Sequence, residues 1–144
     1  MVRVLIFIIG LPILVNAQSS LSINLSKFRG QSTCFGVALY HKEGFLVEKQ
    51  ALYTDYFCNV DGKGEVEYQI VDSIPAGRYA LAVFEDLNNN RKLDKNLTGI
   101  PIEPYVFSNN AGSKWTKPTF EDASFELSNG SNHLFLKLKY WKEY

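Results

Sequence analysis

The chain has 144 residues, room for one domain and not for two of ordinary size. Its fifteen basic and fifteen acidic residues cancel, which removes the basic footprint that nucleic-acid binding requires. Aromatic residues make up 14% of the sequence, a content suited to β structure and not to a helical bundle.

Arg3, the apolar run from Val4 to Val15 and the small Ala17 have the form of a cleaved export signal over 1–17. The mature domain is then 18–144. A membrane anchor needs about 20 apolar residues, and this run is too short; no second one follows, so no segment is expected to cross a membrane after cleavage. The expected location is secreted or periplasmic. Export makes the only two cysteines, Cys34 and Cys58, a disulfide candidate, worth on the order of 3 kcal/mol through the loop it closes. Two separately buried thiols are the alternative.

Leu21 to Leu25 alternates apolar and polar residues as a half-buried strand does. Phe28-Arg29-Gly30-Gln31 makes a turn, and Cys34 to Tyr40 reads as a central strand with Phe35, Val37 and Leu39 on one face. Gly36 in its middle predicts a bulge or a close backbone approach. His41 to Phe57 shows no clear period. After the Asp61-Gly62-Lys63-Gly64 turn, Val66, Tyr68 and Ile70 alternate with Glu65, Glu67 and Gln69, a strand with one wet face. Pro75 and Gly77 shape a compact turn. Tyr79 to Phe84 is nearly all apolar and predicts a buried central strand, its two alanines calling for another layer packed close.

From Asp86 to Pro118 no period holds, and three prolines argue against helix or central strand. The stretch is too apolar for a disordered linker, so it predicts an ordered loop packed over the sandwich edge. Ala123 to Leu127 and His133 to Trp141 alternate again, with Ser128-Asn129-Gly130-Ser131 read as a hairpin turn. The expected fold is all-β: an antiparallel two-sheet sandwich of about seven strands, transthyretin-like or immunoglobulin-like.

The densest cluster of oxygen-bearing side chains begins at Asp86. Asp86, Asn88, Asn90 and Asp94 fall at positions 1, 3, 5 and 9 of a calcium loop, with the Lys92 carbonyl at position 7. A hard cation needs several oxygens converging on a point, and alternate side chains of a tight loop supply them. Arg91 occupies position 6, where glycine normally makes the sharp turn, and Leu97 stands where a bidentate Glu should close the shell. Glu103 is the candidate replacement, Glu85 a poorer one because it points away from Asp86 along a strand. With so few carboxylates the expected calcium affinity is about 10⁻⁴–10⁻³ M or weaker. A plain polar turn is the competing reading.

Asp86 to Asp94, then Gly99-Ile100-Pro101-Ile102-Glu103, then Phe107-Ser108-Asn109-Asn110-Ala111 resembles a family of exported bacterial proteins catalogued as domain of unknown function 2141. Ile74 to Ala80 and Pro118 to Ala123 are similar to it as well. The resemblance implies a secreted or periplasmic sandwich akin to transthyretin-like and carboxypeptidase-regulatory-like domains, and no known activity. Family members carry a glycine where this chain has Arg91.

The expectation is therefore a non-enzymatic exported module with a calcium-ordered loop at 86–94; its partner, an envelope or extracellular protein or a small ligand, is left unknown. A small-molecule carrier using Tyr105, Phe107 and Trp115 of the 100–118 loop is the alternative. A hydrolase ranks below both: His41 and His133 are the only histidines, no nucleophile elbow surrounds Ser108 or Ser113, and the adjacent Glu121 and Asp122, which would face opposite sides of a strand, are read in a turn.

Overall fold

Alternation decides most of the strands. The computed structural model describes residues 19–29, 33–59, 64–113 and 116–144, with backbone alone at 48, 59 and 71–73. The expected signal over 1–17, the Asp61-Gly62-Lys63 turn and Trp115 lie outside the described residues. Among the described residues eight strands form: β1 (Ser19–Ser26), β2 (Thr33–Tyr40), β3 (Tyr53–Asn59), β4 (Glu65–Ile74), β5 (Gly77–Asp86), β6 (Tyr105–Phe107), β7 (Ser124–Leu127) and β8 (Gly130–Lys137). One short helix, α1 (Phe120–Ala123), precedes β7.

The strands make two sheets. One has the order β4-β1-β8; the other runs β3-β2-β5-β6, with β7 also on β5. On the outer edge of β5, β7 pairs with Gly77–Ala80 and β6 with Ala82–Phe84. Leu21, Ile23 and Leu25 of β1 face Phe35, Val37 and Leu39 of β2 and Leu81 and Val83 of β5 across the core, each at most 3% exposed. These are the faces that the alternation assigns. The layer implied by the alanines of β5 is there too: Ala80 packs with Phe120 and Ala123, and Phe45 and Phe107 close around them.

The structure refines one expectation and corrects two. The sandwich is antiparallel except that β8 runs parallel to β1, from Ser19 opposite Gly130 to Ser26 opposite Lys137. Ser128 to Ser131 is not a hairpin, because β7 and β8 belong to different sheets; the turn carries the chain from one layer to the other. Glu121 and Asp122 lie in α1, not in a turn, where the Thr119 hydroxyl accepts from the Asp122 N–H and the Asp122 carboxylate accepts from the Thr119 N–H, a capping box.

Both open sides are stitched. Beyond β8, Lys139 pairs with Tyr105 of β6 (N···O 2.9 and 3.2 Å). The Asn110 side chain accepts from the Lys137 N–H and donates to the Phe135 carbonyl. On the opposite side the Tyr53 hydroxyl of β3 meets the Tyr68 hydroxyl of β4 at 2.7 Å, and Tyr68 donates onward to Asp55. The Phe57 and Tyr68 rings stack below them, 4.1 Å apart.

Cys34 and Cys58 stand opposite each other on β2 and β3 and are joined in a disulfide. Such bonds persist in oxidising compartments and are rare in the reducing cytosol. Among the described residues no helix is long and apolar enough to cross a membrane.

Candidate functional site

β5 ends in two consecutive acids whose side chains point to opposite faces, as strand geometry demands. Glu85 turns inward, fully buried, and accepts the Arg29 N–H on both carboxylate oxygens at 2.8 and 3.0 Å. It holds the β1–β2 connection. Asp86 turns outward and is still only 1% exposed, because the following loop folds back over it. Its Oδ1 accepts from the Asn90 N–H (3.2 Å), and its Oδ2 from the Arg91 N–H (2.6 Å) and the Tyr56 hydroxyl (2.7 Å).

Burial on its own would push the Asp86 carboxyl up; the bonds from Tyr56, Arg91, Asn90 and Asn89 outweigh it and hold the group below the ordinary aspartate range. The same contact works in reverse on Tyr56. Burial, and then the neighbouring carboxylate, push its hydroxyl up to about 12, so it remains a donor.

The loop turns tightly without a glycine. Asn89 and Arg91 both take left-handed backbone, with φ of 60° and 62°, a region costly for a residue with a Cβ. The Arg91 guanidinium lies 5.0 Å from the centre of the Tyr56 ring, a cation–π contact that helps fix the residue there. Asn88 Oδ1 accepts from the Asn90 N–H and Asn90 Oδ1 from the Lys92 N–H. The two amide nitrogens converge on one carboxylate: Asn88 Nδ2 donates to Asp94 at 2.7 Å, Asn90 Nδ2 at 3.0 and 3.1 Å.

Asp86, Asn88, Asn90 and Asp94 are thus linked by hydrogen bonds. Lys92 joins them through its backbone N–H. Glu103, 3% exposed, is occupied elsewhere. Its Oε1 accepts from the Leu87 N–H (2.8 Å) and its Oε2 from the Asp94 N–H (2.9 Å). It clamps the two ends of the loop, and the oxygens of Asp86, Asn88 and Asn90 are likewise taken by hydrogen bonds. Among the described residues no three His, Cys, Asp or Glu side chains gather as a metal cluster. Two carboxylates and two amides gather here, the amide nitrogens toward Asp94 and the amide oxygens on backbone N–H groups, a set without the nitrogen and sulfur ligands of a transition-metal centre.

Tyr56 is the site residue that sequence reasoning missed. It sits on β3, in the stretch without a clear period, and reaches Asp86 past Gly36 and Phe84. The only sequence signal was Gly36 itself: a Cβ there would lie 2.1 Å from the Phe84 ring, the close approach that a strand glycine signals.

The other sequence candidates are dispersed. His41 and His133 are both exposed, one just past β2 and one on β8. Tyr105 stacks on Tyr144, ring centres 5.0 Å apart, and Phe107 packs toward Phe45. A shallow depression nearby is lined by Ala111, Gly112, Ser113, Thr116, Pro118 and Asp122, and so by neither of those two aromatic rings.

Two solved structures of a pilus-presented adhesin, Spy0125 (Cpa), are similar to the chain at 14% identity, with TM-scores of 0.30 and, for a cysteine-to-alanine mutant, 0.29. They align with 89% and 88% of this chain, which spans 28% of the adhesin chain in each case. No curated protein matches. The model of a family described as uncharacterized protein conserved in bacteria (DUF2141) matches residues 23–134. Most of the chain lies inside that match, motifs and clamps included, and the chain belongs to this family.

Proposed function

We propose that the chain is an exported, non-catalytic binding module whose 86–103 loop takes a divalent cation of the calcium class with low affinity. The observation that carries this reading is the preformed turn: Arg91 holds left-handed backbone and donates its N–H to a buried Asp86 carboxylate. The strain is met in advance, so a cation need not impose it. Asp86, Asn88, Asn90, the Lys92 carbonyl and Asp94 would hold the ion, which would supply positive charge where two amides now serve Asp94. Glu103 keeps the loop ends together. The disulfide and the leader-like 1–17 segment support export.

A thermal melt of metal-stripped protein tests the cation. With a dissociation constant near 10⁻³ M, about 10 mM calcium stabilises by about 1.4 kcal/mol, a rise of roughly 3–6 °C. The same calcium leaves Asp94→Asn unmoved. An unchanged melting temperature in the parent protein refutes the reading.

A further inference from the structure

The 87–102 loop hides its acids and displays its bases. Asp86 and Glu103 at its roots are buried, whereas Arg91, Lys92 and Lys95 are exposed against the single part-buried Asp94. Three large apolar side chains are exposed on the same loop: Leu87 at 44%, Ile102 at 54% and Leu97 at 107%. Leu97 caps a small hairpin in which Lys95 pairs with Pro101. Its turn is braced: the Asn96 side-chain oxygen accepts from the Thr98 N–H, the Thr98 hydroxyl and the Ile100 N–H, and Gly99 takes φ 80°. The hairpin has no slack with which to fold Leu97 back onto the sandwich.

We propose that this loop tip docks on an anionic lipid surface, Leu97 entering the headgroup region while Lys92 and Lys95 meet lipid phosphates. The charge is complementary, each base near such a surface adding to the attraction. The shape argues for a bilayer over a protein partner. A convex tip with a fully exposed leucine has no walls of its own, and a bilayer admits it anywhere without a matching pocket. This docking does not depend on the cation reading, since its charges are side chains already present.

Flotation of the full mature chain with vesicles of phosphatidylglycerol and phosphatidylcholine, in EDTA, is the test. Binding is expected at about 1 mM lipid and weakens as salt rises. The L97D and K92E/K95E variants each lose about tenfold or more in apparent affinity, whereas Phe135→Ser, on the other sheet, binds as the parent does. Leu97 is fully exposed, so L97D keeps the parent melting temperature and its loss of binding reports on docking. Absence of parent binding, equal binding to pure phosphatidylcholine, or parent-like binding by L97D overturns the proposal. Repeating the flotation with calcium in place of EDTA separates this result from the fate of the cation site.

Discussion

At Leu81 the outer edge of β5 passes from β7 to β6, and neither strand supplies a partner for the Leu81 N–H. Ser108 fills the gap. Its hydroxyl, fully buried, accepts that N–H at 2.9 Å and donates to the Ala123 carbonyl. Asn109 then donates to the Asp122 and Ser124 carbonyls, and Asn110 mimics a strand partner for β8. The Ser-Asn-Asn run is a set of side chains standing in for missing backbone ladders. Ser108→Ala leaves a buried donor unpaired and is expected to cost about 1–3 kcal/mol, read as a lower urea midpoint at unchanged slope. A midpoint equal to that of the parent would show that the hydroxyl is dispensable.

Among the elements, β3 depends most on covalent help. It is an edge strand, paired with β2 alone. Its disulfide sits two residues beyond Tyr56, whose hydroxyl serves Asp86. The Cys34→Ser/Cys58→Ser double variant is expected to lose about 3 kcal/mol in chemical denaturation, and a cost below about 1 kcal/mol would contradict that role. β3 is also the least legible strand, for a physical reason. Asp55 occupies the same face as Tyr53 and Phe57 and breaks the apolar alternation, because the edge lets it reach solvent and the Tyr68 hydroxyl. β1 and β4 could be read because each has a clean period of two, and β2 and β5 because each is a nearly continuous apolar run. β6, at three residues, is too short to show one. That β8 runs parallel to β1 leaves no trace in its alternation, which is the same in either direction. Asn129-Gly130 fits a tight turn equally well inside a sheet or between two sheets. In the loop, side-chain spacing located Asp86, Asn88, Asn90 and Asp94, but the clamp at Glu103 and the Tyr56 bond are contacts at a distance that no local pattern encodes.

For the whole molecule, acid stability follows from carboxylates held below their ordinary values, the buried Asp86 together with the exposed Asp55, Glu121, Asp122 and Glu143. Hydrogen bonds lower Asp55, that from Tyr68 most, and the loop and Tyr56 bonds lower Asp86 against the opposing effect of burial. With the folded pKa of these two aspartates depressed, the unfolded chain binds more protons near and below 3.8. The stability these groups add is therefore full above that value and drains away as pH falls through the folded values. Urea midpoints measured from about pH 7 to about pH 3 are expected to fall on the acid side, and Asp86→Asn to fall less steeply from a lower start. An identical acid slope in that variant would remove Asp86 from the account. The adjacency of Glu85 and Asp86 has a wider effect. Because one faces inward to Arg29 and the other outward to Arg91, sliding β5 by a single position would hand each carboxylate to the wrong side and strip both connections at once. A misaligned chain thus gains no partial reward at this end of the strand, and a pair of neighbouring acids acts as a proofreader of the sheet's alignment.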